Sequence, residues 1–358
     1  MQPRIDTPRA RAPRPAGPIG GPAAWTGAGL RGSQVWLHEL APAEAEELAD
    51  AARRVLDVPL PELGADAFAL PRLDALLGQL RAEVLHGRGF ALLRGLPVER
   101  CDRATSARMF WAIGTRIGRG VSQNAAGHLL GHVTDLGYDA EDPSVRLYQT
   151  HERQGFHTDS ADVVALLCLR TAREGGLSRL ASAAALHDAL LERAPDCVGA
   201  LFESFCTDHR GEYAAGQTPW FDAPVLHWHA DLLSVLYQRR YIESAQRFAE
   251  VPRLSPEQVR ALDAFDAALD DPALHLDMEL RPGDVQLVNN HALVHDRTAF
   301  VDGPEPDKKR HLLRLWLCPP DGRPLPAAFA GRYGRIDVGN RGGVHLPGVK
   351  LVAPLEPV

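Results

Sequence analysis

Cysteine is scarce in this 358-residue chain, and what there is lies scattered. Cys101, Cys168, Cys197, Cys206 and Cys318 are odd in number and form no Cys-x-x-Cys pair. That excludes a zinc knuckle and a disulfide framework and points to a reducing compartment, so a cytoplasmic location is expected. No apolar run approaches the roughly 20 residues that a membrane span needs. No basic stripe is present and the net charge is −7, which argues against nucleic acid or an anionic membrane surface as partner. Residues 1–23 are rich in Pro, Arg, Gly and Ala and lack the apolar segment of a secretory signal. They read as a disordered tail, and residues 341–358, with Pro347, Pro354 and Pro357, read as a second.

Between the tails there is no internal repeat, and 24–340 reads as a single domain large enough to bury a sizeable core. Apolar spacing of period 3.6 predicts helices at about 42–56, 71–87 and 103–118, and another over 183–204 interrupted at Pro195. Ser255-Pro256-Glu257-Gln258 is a capping box with proline at the first helical position, opening a helix to about 270. Strands are expected at Gly89–Pro97, Val163–Leu169, Leu274–Leu280 and Val285–Asn289. A helical insertion of about 180–270 therefore separates two groups of strands.

The most informative feature is His157-Thr158-Asp159. In an extended strand, side chains at i and i+2 point the same way, so an imidazole and a carboxylate can reach one metal ion. A second imidazole from far along the chain would complete a facial triad, the ligand set of non-haem Fe(II) oxygenases. His295 is the candidate. It follows a Pro282-Gly283 turn and a short apolar run, and precedes Arg310 and Arg314. From Arg310 to Leu317 the chain alternates with period 2. One face carries Arg310, Leu312, Arg314 and Trp316, and the other is fit for a core. The two guanidiniums lie about 13 Å apart on a strand. If buried, each needs an anion, and a dicarboxylate cosubstrate would supply carboxylates for bidentate binding.

The His157-x-Asp159 pair, the Pro-Gly-Asp-x-x-x-x-Asn-Asn approach, His295-x-Arg297-x-x-Phe300 and the Arg310-x-x-x-Arg314 pair resemble the taurine dioxygenase/TfdA, clavaminate-synthase-like family of Fe(II)- and 2-oxoglutarate-dependent oxygenases. The resemblance covers roughly residues 85–320. It implies a mainly β fold with flanking helices, built on a double-stranded β-helix (jelly-roll, cupin-like) core. It implies His157, Asp159 and His295 as iron ligands, with Fe(II), 2-oxoglutarate and O2 as the reagents. By the same resemblance Arg310 binds the far carboxylate of 2-oxoglutarate. Gly175-Gly176-Leu177-Ser178 stands where the family has Gly-Gly-x-Thr, which carries a hydroxyl contact to Ser178. Arg314 stands where the family has an arginine facing cosubstrate or substrate. It is expected on the substrate side, with a structural ion pair to an Asp or Glu as the alternative. The expected reaction is oxidation of an unactivated C–H bond with release of succinate and CO2. The expected substrate is a small molecule, with an amino acid, a sulfonate or a natural-product intermediate among the anionic options. A homo-oligomer is compatible with the sequence.

Other residues are given plainer roles. His227-Trp228-His229 is a second i, i+2 pair without an accompanying carboxylate or arginine, and reads as structural. His291 falls on a non-ligand position of the family pattern, Arg297 reads as a salt-bridge residue, and Asn289 and Asn290 read as caps of backbone groups. Tyr148, Trp220, Trp228 and Tyr241 are candidates to shape a pocket or to serve as plain core. Two rival functions are a metal-dependent cupin-type enzyme that does not use 2-oxoglutarate, and a non-catalytic small-ligand sensor.

Overall fold

The computed structural model describes residues 13–140, 142, 145–305 and 308–357. Two sheets form its frame. In chain order the strands are β1 (Leu37–Glu39), β2 (Phe90–Arg94), β3 (Arg119–Val121), β4 (Leu130–Val133), β5 (Gln154–His157) and β6 (Val163–Arg170). They continue as β7 (Ser178–Ser182), β8 (His275–Met278), β9 (Val285–Asn289), β10 (Leu293–Arg297) and β11 (His311–Cys318). The larger sheet runs β1-β2-β9-β6-β11-β3 with β4 also against β11, and the smaller runs β8-β7-β10-β5. This is the double-stranded β-helix. Among the described strand pairs of these two sheets, only β1–β2 is parallel.

The centre of the large sheet is apolar on both faces because both are covered. On one side lie α1 (Pro42–Arg53), α2 (Asp74–His86) and α3 (Arg103–Ile117). Their Leu48, Leu77, Leu80, Phe110 and Ile113 pack with Ala91, Leu93, Leu167, Leu287, Leu313 and Leu315. The other side faces the interior between the sheets, where Leu92, Val133, Cys168, Leu280 and Leu312 meet. The β11 alternation divides as its sequence predicts, with Leu313, Leu315 and Leu317 in the helix-side core and Leu312 in the interior. A second core covers the small sheet, beneath α4 (Ala183–Arg193), α5 (Pro195–Leu201) and α6 (Pro256–Leu269). Ser255 caps α6 by accepting from the Gln258 amide at 3.2 Å, the expected capping box.

Three expectations need correction. The 180–270 insertion is not purely helical: it also holds the antiparallel pairs Phe205–Asp208 with Trp220–Ala223 and Leu226–His229 with Leu232–Val235. The N-terminal tail expectation falls outside the described residues for 1–12. Within 13–23, the amides of Ile19 and Gly20 donate to the Asp188 carboxylate at 2.7 and 2.9 Å, so this stretch is tied to α4. The C-terminal tail expectation fails at its start. Arg341 is buried with its guanidinium 2.8 Å from Asp162, and the amides of Gly343 and Val344 donate to the carbonyls of Ser160 and Ser122. A pairing partner that composition cannot reveal, a buried aspartate, overrides the proline-rich character of the segment. All five cysteines are free, and no helix among the described residues is long and apolar enough to cross a membrane.

Candidate metal centre and its two cavities

His157 ends β5 and His295 sits in β10, and the two are paired residues of neighbouring antiparallel strands. Their ring centroids are 4.1 Å apart. Asp159 lies just past β5, in a loop rather than on the extended strand that an i, i+2 pair suggests. Its placement depends on Asn290, in the turn between β9 and β10. The Asn290 side chain accepts from the Asp159 amide at 2.8 Å and donates to the carbonyls of Asp159 and Ala161 at 2.6 and 2.8 Å. The expected capping role of Asn290 thus fixes a site residue. Asp159 Oδ1 is 3.8 Å from His157 Nε2, and Oδ2 is 3.8 Å from His295 Nε2. One ligand atom from each of the three lies within 4.8 Å of the others, the only such group of three or more His, Cys, Asp or Glu among the described residues.

The electrostatics suit a cation. Burial pushes both imidazoles down, His295 to about 3, which keeps them neutral with lone pairs available. His157 Nδ1 donates to the Gly155 carbonyl at 2.9 Å, which leaves Nε2 as the acceptor nitrogen. Burial pushes the Asp159 carboxyl up, but the charge of Arg314, the two imidazoles and a Trp316 hydrogen bond outweigh it, and Asp159 is held below the usual carboxylate range. Two neutral imidazoles and a carboxylate on one side of a gap make a donor set that fits Fe(II).

Two cavities meet at this cluster. The inner one lies between the sheets, lined by His157, Asp159, Ser178, His295, Arg310 and Arg314 among others. Arg310, one residue before β11, is almost wholly buried over the Phe300 ring, 5.1 Å from its centroid. Burial pushes its guanidinium down to about 10, and its Nη1 has no hydrogen-bond partner among the described residues. A buried, unpaired guanidinium is the cavity's request for an anion. Gly176 makes room for it. At φ +71 its backbone favours glycine, and a Cβ there would lie 2.8 Å from Arg310 Nε. Ser178 opens β7 in the same cavity, its hydroxyl donating to Gln286 Oε1 at 3.0 Å. Arg314 lines both cavities: Nε donates to Gln123 Oε1 at 2.6 Å, and Nη1 is 3.5 Å from Asp159 Oδ2. The outer cavity opens past Tyr148, whose ring is 4.6 Å from the Arg314 guanidinium. Its lining includes Arg146, Tyr241 and Arg332.

The remaining candidates divide between the cavity walls and positions away from the cluster, with Arg297 on the wall of the inner cavity. His291 Nε2 donates to Asp162 Oδ1 at 2.6 Å, and His227 packs on Phe329 with His229 exposed. Arg297 makes no salt bridge among the described residues. It donates to the carbonyls of Thr150 and Glu152, and burial pushes it down to about 9. Tyr148 and Tyr241 line the outer cavity, whereas Trp220 packs on Phe248 and Trp228 lies against the small-sheet core. Gln154 and the Arg146–Glu212–Arg332 cluster escaped sequence reasoning, whereas Trp316 was placed on the face of Arg310 and Arg314 without a role of its own.

Residues 56–316 match the family model described as taurine catabolism dioxygenase TauD, TfdA family. The chain belongs to that family. It is an Fe(II)- and 2-oxoglutarate-dependent oxygenase that uses O2 and acts on a small molecule. It is 33% identical over 320 residues to FR-33289 synthase of Streptomyces rubellomurinus, covering 87% of this chain and 94% of that protein. It is 29% identical to a taurine hydroxylase-like protein, SAT17, of Stachybotrys chartarum, covering 88% and 86%. The fold is similar to that of asparagine oxygenase in complex with Fe(II), 3-hydroxyasparagine and succinate. There the TM-score is 0.60 at 19% identity, over 79% of this chain and 93% of the other.

Proposed function

We propose that His157, Asp159 and His295 hold the iron, and that the oxidised C–H bond belongs to an anionic small molecule seated in the outer cavity. The observation that carries the metal assignment is the pairing of His157 with His295 across one rung of the small sheet, with Asp159 between them. Bound iron with 2-oxoglutarate and O2 supplies an oxidant strong enough for an unactivated C–H bond, leaving succinate and CO2. The chain's own residues position and shield. Arg310 would receive the far carboxylate of 2-oxoglutarate as a bidentate partner in the inner cavity, and the Ser178 hydroxyl would turn to the same carboxylate. Arg314 and Trp316 hold Asp159 Oδ2, so the carboxylate cannot rotate freely. Tyr148 borders both cavities and narrows the passage by which water could reach the cluster. The five free cysteines favour a cytoplasmic setting for this chemistry.

The test is a titration without oxygen, followed by a turnover assay. Protein with Fe(II) should gain a visible charge-transfer band on adding 2-oxoglutarate, and the His295→Ala variant should not. A screen of small anions should then couple succinate formation to oxygen uptake. An enzyme that binds Fe(II) and consumes oxygen without succinate would support the cupin-type rival instead.

A further inference from the structure

Gln154 and His157 meet on one side of β5 although they stand three residues apart. In a regular strand, side chains at i and i+3 point to opposite faces. The β5–β10 ladder is irregular here: His157 pairs with His295 and Gln154 with Arg297, so Gly155 and Phe156 together oppose Asp296 alone. The extra residue is a β-bulge, a device that re-aims a side chain. Phe156 goes to the core behind the small sheet, while Gln154 turns toward the cluster. Its Nε2 donates to His157 Nε2 at 2.9 Å, the one side-chain hydrogen bond of Gln154 among the described residues. Gln154 also lines both cavities.

This amide occupies the lone pair that a metal ion needs. His157 Nδ1 gives its hydrogen to the Gly155 carbonyl, so Nε2 carries the free lone pair of the ring. An N–H group and a metal ion cannot both use it. Loss of that lone pair to a metal frees the Gln154 amide where the two cavities meet, and a donor without an acceptor in a half-buried wall is unfavourable. Asp159 offers little in exchange. Its Oδ2 already accepts from Trp316 Nε1 at 2.9 Å and lies 3.5 Å from Arg314 Nη1, and its Oδ1 is turned to His157. The inner cavity is lined by Arg310 and Gln154 alike. A dicarboxylate with one end on Arg310 has its other carboxylate available to Gln154.

We propose that Gln154 couples the metal to its cosubstrate by exchanging acceptors: the His157 lone pair in the metal-free protein, and a carboxylate oxygen at the 2-oxo acid end of 2-oxoglutarate once a metal holds that lone pair. The inference rests on the assignment of His157 as a ligand. Gln154 thus opposes binding of the metal by itself and favours binding of metal and cosubstrate together. By linkage, 2-oxoglutarate then raises metal affinity by the same factor as the metal raises affinity for 2-oxoglutarate.

The experiment uses the full chain under nitrogen. Fe(II) is titrated calorimetrically, and 2-oxoglutarate is then titrated into the Fe(II) protein by the visible band. Gln154→Leu keeps most of the bulk and removes the amide. Gln154→Glu keeps the length and replaces the donor by an acceptor. Gln154→Leu should bind Fe(II) alone about two- to tenfold tighter than wild type, yet bind 2-oxoglutarate roughly tenfold or more weaker. Changes of opposite sign for the two ligands are not what a packing defect produces. Gln154→Glu should weaken 2-oxoglutarate at least as much, because it sets one carboxylate against another, and it serves if the leucine variant fails to fold. Fe(II) affinity of Gln154→Leu equal to or below that of wild type would overturn the proposal, as would unchanged 2-oxoglutarate affinity in either variant. Failure of the wild-type protein to bind Fe(II) or to form the band would instead remove the oxygenase reading beneath it.

Discussion

The indole Nε1 of Trp316 donates to Asp159 Oδ2 at 2.9 Å. Trp316 comes from β11 of the large sheet, whereas the imidazoles come from the small sheet, so this contact ties the carboxylate to the opposite wall. Trp316→Phe keeps the ring and removes the donor. Metal affinity should fall about ten- to a hundredfold, the usual cost of losing a partner that orients a ligand. Isothermal titration with Fe(II) under nitrogen checks this, and an unchanged melting temperature separates it from a packing defect.

Removal of a ligand itself should cost more. His157→Ala, Asp159→Ala and His295→Ala are each expected to lose more than about a hundredfold in Fe(II) affinity and nearly all succinate formation. The fold should survive, because none of the three side chains belongs to the main apolar clusters. Circular dichroism and iron titration on the same samples decide. If His295→Ala binds iron normally, His295 is not the distal ligand.

Arg310 and Gly176 should behave as a pair. Arg310→Ala is expected to raise the apparent KM for 2-oxoglutarate by about thirty- to thousandfold, the roughly 2–4 kcal/mol of a charge-assisted contact. Gly176→Ala should move in the same direction, because its Cβ would lie 2.8 Å from Arg310 Nε and its φ is +71. Steady-state kinetics against 2-oxoglutarate test both. A normal KM in Gly176→Ala would show that the guanidinium can shift without loss.

The Asp162–Arg341 pair makes a prediction about stability and pH. Burial pushes the Asp162 carboxyl up, but hydrogen bonds and charge from His291 and Arg341 more than reverse this, so its folded pKa is depressed. Such a group adds stability that is complete above the unfolded value near 4 and is lost as pH falls through the folded value. Arg341→Met should therefore destabilise the protein at pH 7 by about 3–5 kcal/mol, since it strands a buried carboxylate. Relative to wild type, the deficit should shrink as pH drops below about 4. Urea denaturation at a series of pH values reads both effects.

Much of this architecture is legible in the chain. Val285–Asn289 and the apolar run from Val163 announce buried strands, and the Arg310-to-Leu317 alternation assigns Leu312, Leu313, Leu315 and Leu317 to the correct walls. Asn290 was readable as a cap, though not as the residue that aims Asp159. Other features are invisible because their partners are distant in sequence. Nothing local marks Arg341 as the counter-ion of Asp162, or Gln123 as the partner of Arg314. The short strands β3 and β4 carry glycine and histidine at positions where alternation would have to be read, and they exist because β11 offers them an edge. Charge around Tyr241 was also illegible, since Arg146, Arg210, Glu212 and Arg332 converge only after the chain has folded over the cluster.

The pairing of Asp162 with Arg341 also sets an order of events. Synthesis delivers His157, Asp159, Asn290 and His295 before Arg341, Gly343 and Val344, which clamp the loop from Ser160 to Asp162. A nascent chain thus carries all three proposed ligands, with Asn290 available to the Asp159 loop, before the residues that clamp Ser160 and Asp162 from the other side have been made.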